Sequence, residues 1–82
     1  MAEKVSVISV GFNNFVARDK IIAITAVNTN PIKRAIRIAQ EENRLIDATM
    51  GKKVKSAIFI NSNQLVLSAL TPQTLYLRLI EE

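Results

Sequence analysis

Residues 55–70, KSAIFINSNQLVLSAL, read as two strands, Lys55 to Ile60 and Gln64 to Leu70, joined by the tight connection Asn61-Ser62-Asn63. Side chains alternate faces along a strand, so Ile58 and Ile60 point opposite to Phe59, and Leu65 and Leu67 opposite to Val66. Both strands are therefore apolar on both faces, as in a sheet covered on two sides. Two short helices are too little to cover both faces, so a sibling subunit is expected to do so, by face packing or by extending exposed strand edges. A sandwich closed within one chain is the alternative.

Upstream, Leu45 to Thr49 is a further strand. A hairpin with Gly51 at a positive-φ turn position is expected to join it to the strand from Lys55, projecting Lys52 and Lys53 into solvent. Lys4 to Val10 and Ile21 to Ala26 are rich in β-branched residues and read as strands, with a short one at Phe15 to Ala17 after the turn Gly11-Phe12-Asn13-Asn14. Asn30 followed by Pro31 is a cap-then-proline signal opening a helix that ends near Asn43, with Ile32, Ala35, Ile36 and Ala39 on one face. Thr71-Pro72 repeats the signal and opens a last helix through Leu75, Tyr76, Leu79 and Ile80. The fold class is α+β: one small β-rich domain over residues 1–82, with five to six mostly antiparallel strands and two helices, assembling as a homo-oligomer.

Composition narrows the function. In 82 residues, 49% are hydrophobic, more than so small a core readily hides, which again points to self-association. Cysteine and histidine are both absent, removing disulfides, the usual zinc ligands, the commonest general base and the thiol nucleophile. An enzyme, a metal site, a cofactor and a small-molecule substrate are accordingly not expected. No apolar run reaches the 18 residues of a membrane span and Met1 to Val5 leads into no signal-peptide core, so a cytoplasmic protein without a membrane partner is expected.

The net charge is +4, and residues 18–55 hold nine basic side chains against four acidic ones. Polyanions are the first partners this suggests. The first helix carries Lys33 and Arg34 in its opening turn and Glu41 and Glu42 near its end, the reverse of what the helix dipole favours. Together with the helix N-terminal amides, Lys33 and Arg34 would make a phosphate-binding corner. A solvated helix face with Arg37 and Glu41 paired at i,i+4 explains the same residues. Lys52, Lys53 and Lys55 repel one another unless a polyanion gathers them, which suits a phosphate backbone. Four aromatic residues supply little stacking surface for single-stranded RNA. Asp19 and Asp47 read as structural ion-pair partners of the neighbouring cations rather than as acid–base groups.

Four blocks, Val10-Gly11-Phe12-Asn13-Asn14, Asn30-Pro31-Ile32-Lys33-Arg34, Leu45-Ile46-Asp47-Ala48-Thr49-Met50-Gly51-Lys52-Lys53 and Leu67-Ser68-Ala69-Leu70-Thr71-Pro72-Gln73-Thr74, resemble in order and spacing the bacterial RemA family of extracellular-matrix regulatory proteins, from about Lys4 to Leu79. The resemblance implies a nucleoid-associated transcription regulator of matrix and biofilm genes. Such a regulator lacks a helix-turn-helix, forms ring-like homo-oligomers and wraps or tracks along double-stranded DNA. The family's basic positions match Lys20, Lys52 and Lys53. Lysine there keeps phosphate attraction without the bidentate guanine reading of arginine. Arg18, Lys55, Lys33 and Arg34 complete the expected DNA-binding set. Pro31 fixes the helix start and the subunit geometry. A homo-oligomeric scaffold for an acidic protein is the competing function.

Overall fold

The computed structural model describes residues 6–81. Strands β1 (Val7–Gly11) and β2 (Asn14–Ala17) form an antiparallel hairpin, and a 3-10 turn at Arg18–Lys20 leads into β3 (Ile21–Ala26). Helix α1 (Asn30–Glu41), strands β4 (Leu45–Asp47), β5 (Ser56–Ile60) and β6 (Leu65–Ser68), and helix α2 (Pro72–Ile80) follow. Six mostly antiparallel strands and two helices make the expected small α+β domain. The expected strand from Lys4 is described from Val7 onward, Lys4 and Val5 lying outside the described residues.

The larger sheet has the order β3-β5-β6-β4. Its centre is the β5–β6 hairpin, registered Ser56 to Ser68 and Phe59 to Leu65, so the quoted stretch forms the two inner strands. Both are almost wholly buried. Alternation divides them as expected: Ile58, Ile60 and Val66 enter one core, and Ala57, Leu65 and Leu67 the other, with Phe59 against the second.

Two expectations need correction. The chain covers both sheet faces itself: α1 lays Ile32, Ile36 and Ala39 on one, while α2 with Leu75 and the β1–β2 hairpin with Ile8 and Val10 close the other. The hairpin makes the difference, adding a layer that two helices alone could not supply. Nor do β4 and β5 form a hairpin. Strand β6 lies between them, and β4 pairs with β6 in parallel, Leu45 to Leu65 through Asp47 to Leu67. Residues 48–55 therefore cross over the end of β6 instead of turning back on β4. Gly51 does take the positive φ foreseen, +80°, and Met50 beside it takes 53°.

Two serines inside the apolar strands hold the far ends together. Ser56 and Ser68 face each other across β5 and β6, both fully buried. Ser56 Oγ donates to the Leu70 carbonyl, and Ser68 Oγ donates to the Val10 carbonyl at 2.8 Å while accepting from Leu70 N–H at 3.0 Å. A buried hydroxyl left unpaired would be costly, so these bonds specify how the hairpin and the approach to α2 meet the sheet.

Candidate nucleic-acid interface

Strand directions decide which cations meet. The C-terminal ends of β3, β4 and β6 and the N-terminal end of β5 share one end of the sheet, since Ala26 pairs with Ser56, Ser56 with Ser68 and Asp47 with Leu67. Helix α1 starts four residues after Ala26, so Lys33 and Arg34 lie at this end. The 48–55 crossover lies there too, and its Val54 packs in the same cluster as Val27 and Ile32, beside Lys33. Lys33, Arg34, Lys52, Lys53 and Lys55 are all exposed, and no hydrogen bond or ion pair engages their side chains.

The crossover is a fixed platform. Ala48 N–H donates to the Leu67 carbonyl at 3.0 Å and Lys55 N–H to the Ser68 carbonyl at 2.9 Å, tying both ends to β6. Within it, Lys52 N–H donates to the Thr49 carbonyl at 3.0 Å. Asp47 Oδ1 accepts from Thr49 N–H at 2.9 Å and from the buried Thr49 hydroxyl at 2.6 Å. These bonds, the hydroxyl's first, hold the Asp47 carboxyl below its usual range. The acid nearest the lysines is thus a turn-holding group and not the ion-pair partner expected for it. Sequence reading missed this role of Asp47 and Thr49, although an Asp two residues before a Thr and next to Met50-Gly51 is the signal of a side-chain-capped turn.

The start of α1 adds backbone donors. Its N-cap is Thr29, one residue before the expected Asn30; the Thr29 side chain makes no capping bond, Pro31 stands in the first turn, and no acidic residue does. Free amides and positive dipole charge therefore lie beside Lys33 and Arg34, a setting that favours an anion. The alternative pairing of Arg37 with Glu41 does not form; Glu42 instead pairs with Arg44, whose Nη2 lies 2.6 Å away.

Arg18 and Lys20 belong elsewhere. Lys20 precedes β3, and its carbonyl accepts from Asn61 N–H at 2.8 Å, which places it at the opposite end of β5, roughly 20 Å of strand from Lys55. Lys20 is exposed there beside a groove under β2. Arg18 fastens the hairpin to the end of α2, donating from Nε to Ser6 Oγ at 2.7 Å and from Nη2 to the Glu81 carbonyl at 3.2 Å. Asp19, Glu41, Glu42 and Glu81 also lie toward that opposite end, after β2 or at the helix C-termini. The charge segregated in sequence is thereby sharpened in space: five cations and the turn-bound Asp47 at one end, mixed charge at the other.

The profile of the RemA-like family, extracellular matrix regulatory protein A-like, matches residues 7–79. The chain belongs to this family. Similar proteins include one from Finegoldia magna, 49% identical over 72 residues that span 88% of this chain and 87% of the relative. Another, from Thermotoga maritima, is 45% identical over 90% of this chain and 80% of its own. A third, from Oceanobacillus iheyensis, is 41% identical over 92% of this chain and 87% of its own. All three are named as candidate regulatory proteins. Membership of a family of regulators agrees with a site that presents charge. Among the described residues no group of three metal-ligating side chains gathers, and no helix is long and apolar enough to cross a membrane.

Proposed function

We propose that the chain is a DNA-binding transcription regulator of the extracellular-matrix and biofilm type, acting in the cytoplasm at the nucleoid as a homo-oligomer and not as an enzyme. The observation that carries this reading is the convergence of Lys33, Arg34, Lys52, Lys53 and Lys55 on one end of the molecule, beside an uncapped helix start and a carboxylate already engaged by Thr49. Helices α1 and α2 pack on opposite faces of the sheet, so neither serves the other as half of a helix-turn-helix. The crossover lysines and the α1 start contact phosphates, which position the protein without reading bases.

One subunit offers about five phosphate contacts, and several subunits on one duplex raise the affinity through effective concentration. Lys20, at the other end, joins the DNA only where the duplex passes both ends or a neighbouring subunit brings it close. Arg18 acts by holding the hairpin on α2.

Fluorescence anisotropy with a duplex of several helical turns, at a series of salt concentrations, tests this reading. The expected slope of log affinity against log salt is about −0.9 for each phosphate contacted, hence about −4.5 or steeper. A duplex left free at low salt, with an acidic protein bound instead, would replace the DNA reading by the scaffold reading.

A further inference from the structure

The chain covers both faces of its own sheet, so much of its remaining exposed apolar surface stands at the sheet's two edges. At the β3 edge, Ile22 is the extra residue in the register shift between Ile21 and Ala23 and is 68% exposed. It lines a groove against α1 with Ala35 and Ile38, and a second against α2 with Tyr76 and Leu79. Tyr76, 56% exposed, and Ile80, 57%, continue this surface one helical turn apart. At the β4 edge, Ile46 is 45% exposed and Phe15 on β2 is 59% exposed. Between them opens a groove of about 380 Å³ with Val16, Ala48, Ile60 and Val66 in its walls. Sheet edges are ordinarily blunted with charge or proline. Neither of these exposed edge positions, Ile22 or Ile46, carries such protection.

We propose that these two edges are the two halves of one interface, the β4 edge with its groove in one copy of this chain receiving the β3 edge with Ile22 and Tyr76 of the next. The inference rests on the self-association in the function proposed above and assigns it surfaces. Three features favour a second copy as occupant. The halves lie on opposite edges of the same molecule, so their contact is head to tail and propagates into a ring or filament instead of closing at two. Strand β3 is antiparallel to β5, β5 to β6, and β6 is parallel to β4, so β3 and β4 run in the same direction and a neighbour set edge to edge continues the sheet. Finally, at roughly 200 Å² for a fully exposed large side chain, Ile22, Tyr76 and Ile80 alone offer about 350 Å², nearly half of the ~800 Å² that each partner gives to a stable interface.

The arrangement bears on the basic end. Lys33, Arg34, Lys52, Lys53 and Lys55 lie at strand ends, not at strand edges, so edge-to-edge contact leaves them uncovered. Every copy then presents them on the same rim, at a spacing set by the width of four strands.

The test uses Ile22→Glu and Ile46→Glu, each with one edge spoiled at an exposed position, with molar mass read by light scattering and folding checked by circular dichroism. Wild-type protein is expected to be a multi-subunit species and each variant alone a monomer. Their equimolar mixture is expected to form a heterodimer of twice the chain mass and to stop there, because each variant keeps the half that the other lacks. A mixture that stays monomeric, or an Ile46→Glu variant that keeps the wild-type mass, overturns the assignment of surfaces. A monomeric wild type overturns the self-association itself.

Because the chain has no cysteine, Ile22→Cys and Ile46→Cys provide a second reading that does not depend on tolerating a buried charge. A short bis-maleimide is expected to link the mixed variants and to leave Ile46→Cys alone unlinked. The reverse pattern overturns the proposal.

Discussion

Helices α1 and α2 begin with the same device and use it differently. Each opens with a threonine N-cap and a proline in the first turn. In α2 the Thr71 hydroxyl accepts from Thr74 N–H at 3.2 Å, and the fully buried Leu75 follows one turn later. In α1 the Thr29 hydroxyl makes no such bond, no acid stands in the first turn, and Lys33 and Arg34 oppose the helix dipole. The second start is built for stability. The first gives up stabilisation that a serine or aspartate cap would supply, as expected where the free amides and cations have an outside partner.

Removing the cations is the strongest way to break this contrast. Lys52→Ala with Lys53→Ala is expected to weaken duplex binding at least about tenfold across sequences and to make the salt slope shallower by about 1.8 per contacting subunit, with oligomer mass unchanged. Lys33→Ala with Arg34→Ala should act in the same direction, and anisotropy titrations at several salt concentrations check both. Affinity unchanged in the first pair would remove the crossover from the interface.

The caps come next. Thr71→Ala should cost about 1 kcal/mol, roughly 4–8 °C in melting temperature for a domain of this size, with no change in DNA affinity. Thr29→Ala, which loses no capping bond, should stay within about 0.5 kcal/mol. Equal losses in thermal melts of the two variants would erase the distinction between the helix starts. Thr29→Asp sharpens it further: a carboxylate cap should stabilise α1 by about 0.5–1 kcal/mol and weaken DNA binding at the same time. A variant both more stable and tighter on DNA would place the phosphate elsewhere.

Local pattern carried much of this to the eye and topology withheld the rest. Strand β3 runs over Ile21–Ala26 as its β-branched run implied, and the separation of Ile58 and Ile60 from Phe59, and of Val66 from Leu65 and Leu67, follows from alternation within each strand. The parallel pairing of β4 with β6 leaves no local mark, because Met50-Gly51 makes the same two positive-φ residues in a crossover as in a hairpin. The candidate site suffered from the same blindness. Arg18 and Lys20 are two residues apart and alike in charge, yet one clamps α2 and the other stands free in solvent, both a strand's length from Lys55. Which cations share an end depends on strand direction, and direction is set by pairings between residues far apart in sequence.

The smallest expected effect concerns the carboxylate that the basic end keeps. Thr49 holds the Asp47 carboxyl below its ordinary value of 3.8, first through its hydroxyl and then through its amide. A folded-state value depressed in this way contributes stability above the unfolded value and loses it as pH falls through the folded one. The wild-type melting temperature should therefore carry a shallow acid-side decline below pH ~4 that Asp47→Asn lacks, while at neutral pH the variant keeps an amide oxygen to accept from Thr49. Because Asp47 is largely exposed, solvent screens the difference to a small one. Removing a negative charge beside Lys52 should also tighten DNA binding slightly. Thermal melts of both proteins between pH 7 and 2.5 check the first expectation. Parallel curves would mean that the crossover is held by the Lys55–Ser68 and Ala48–Leu67 backbone bonds without help from the Asp47 charge.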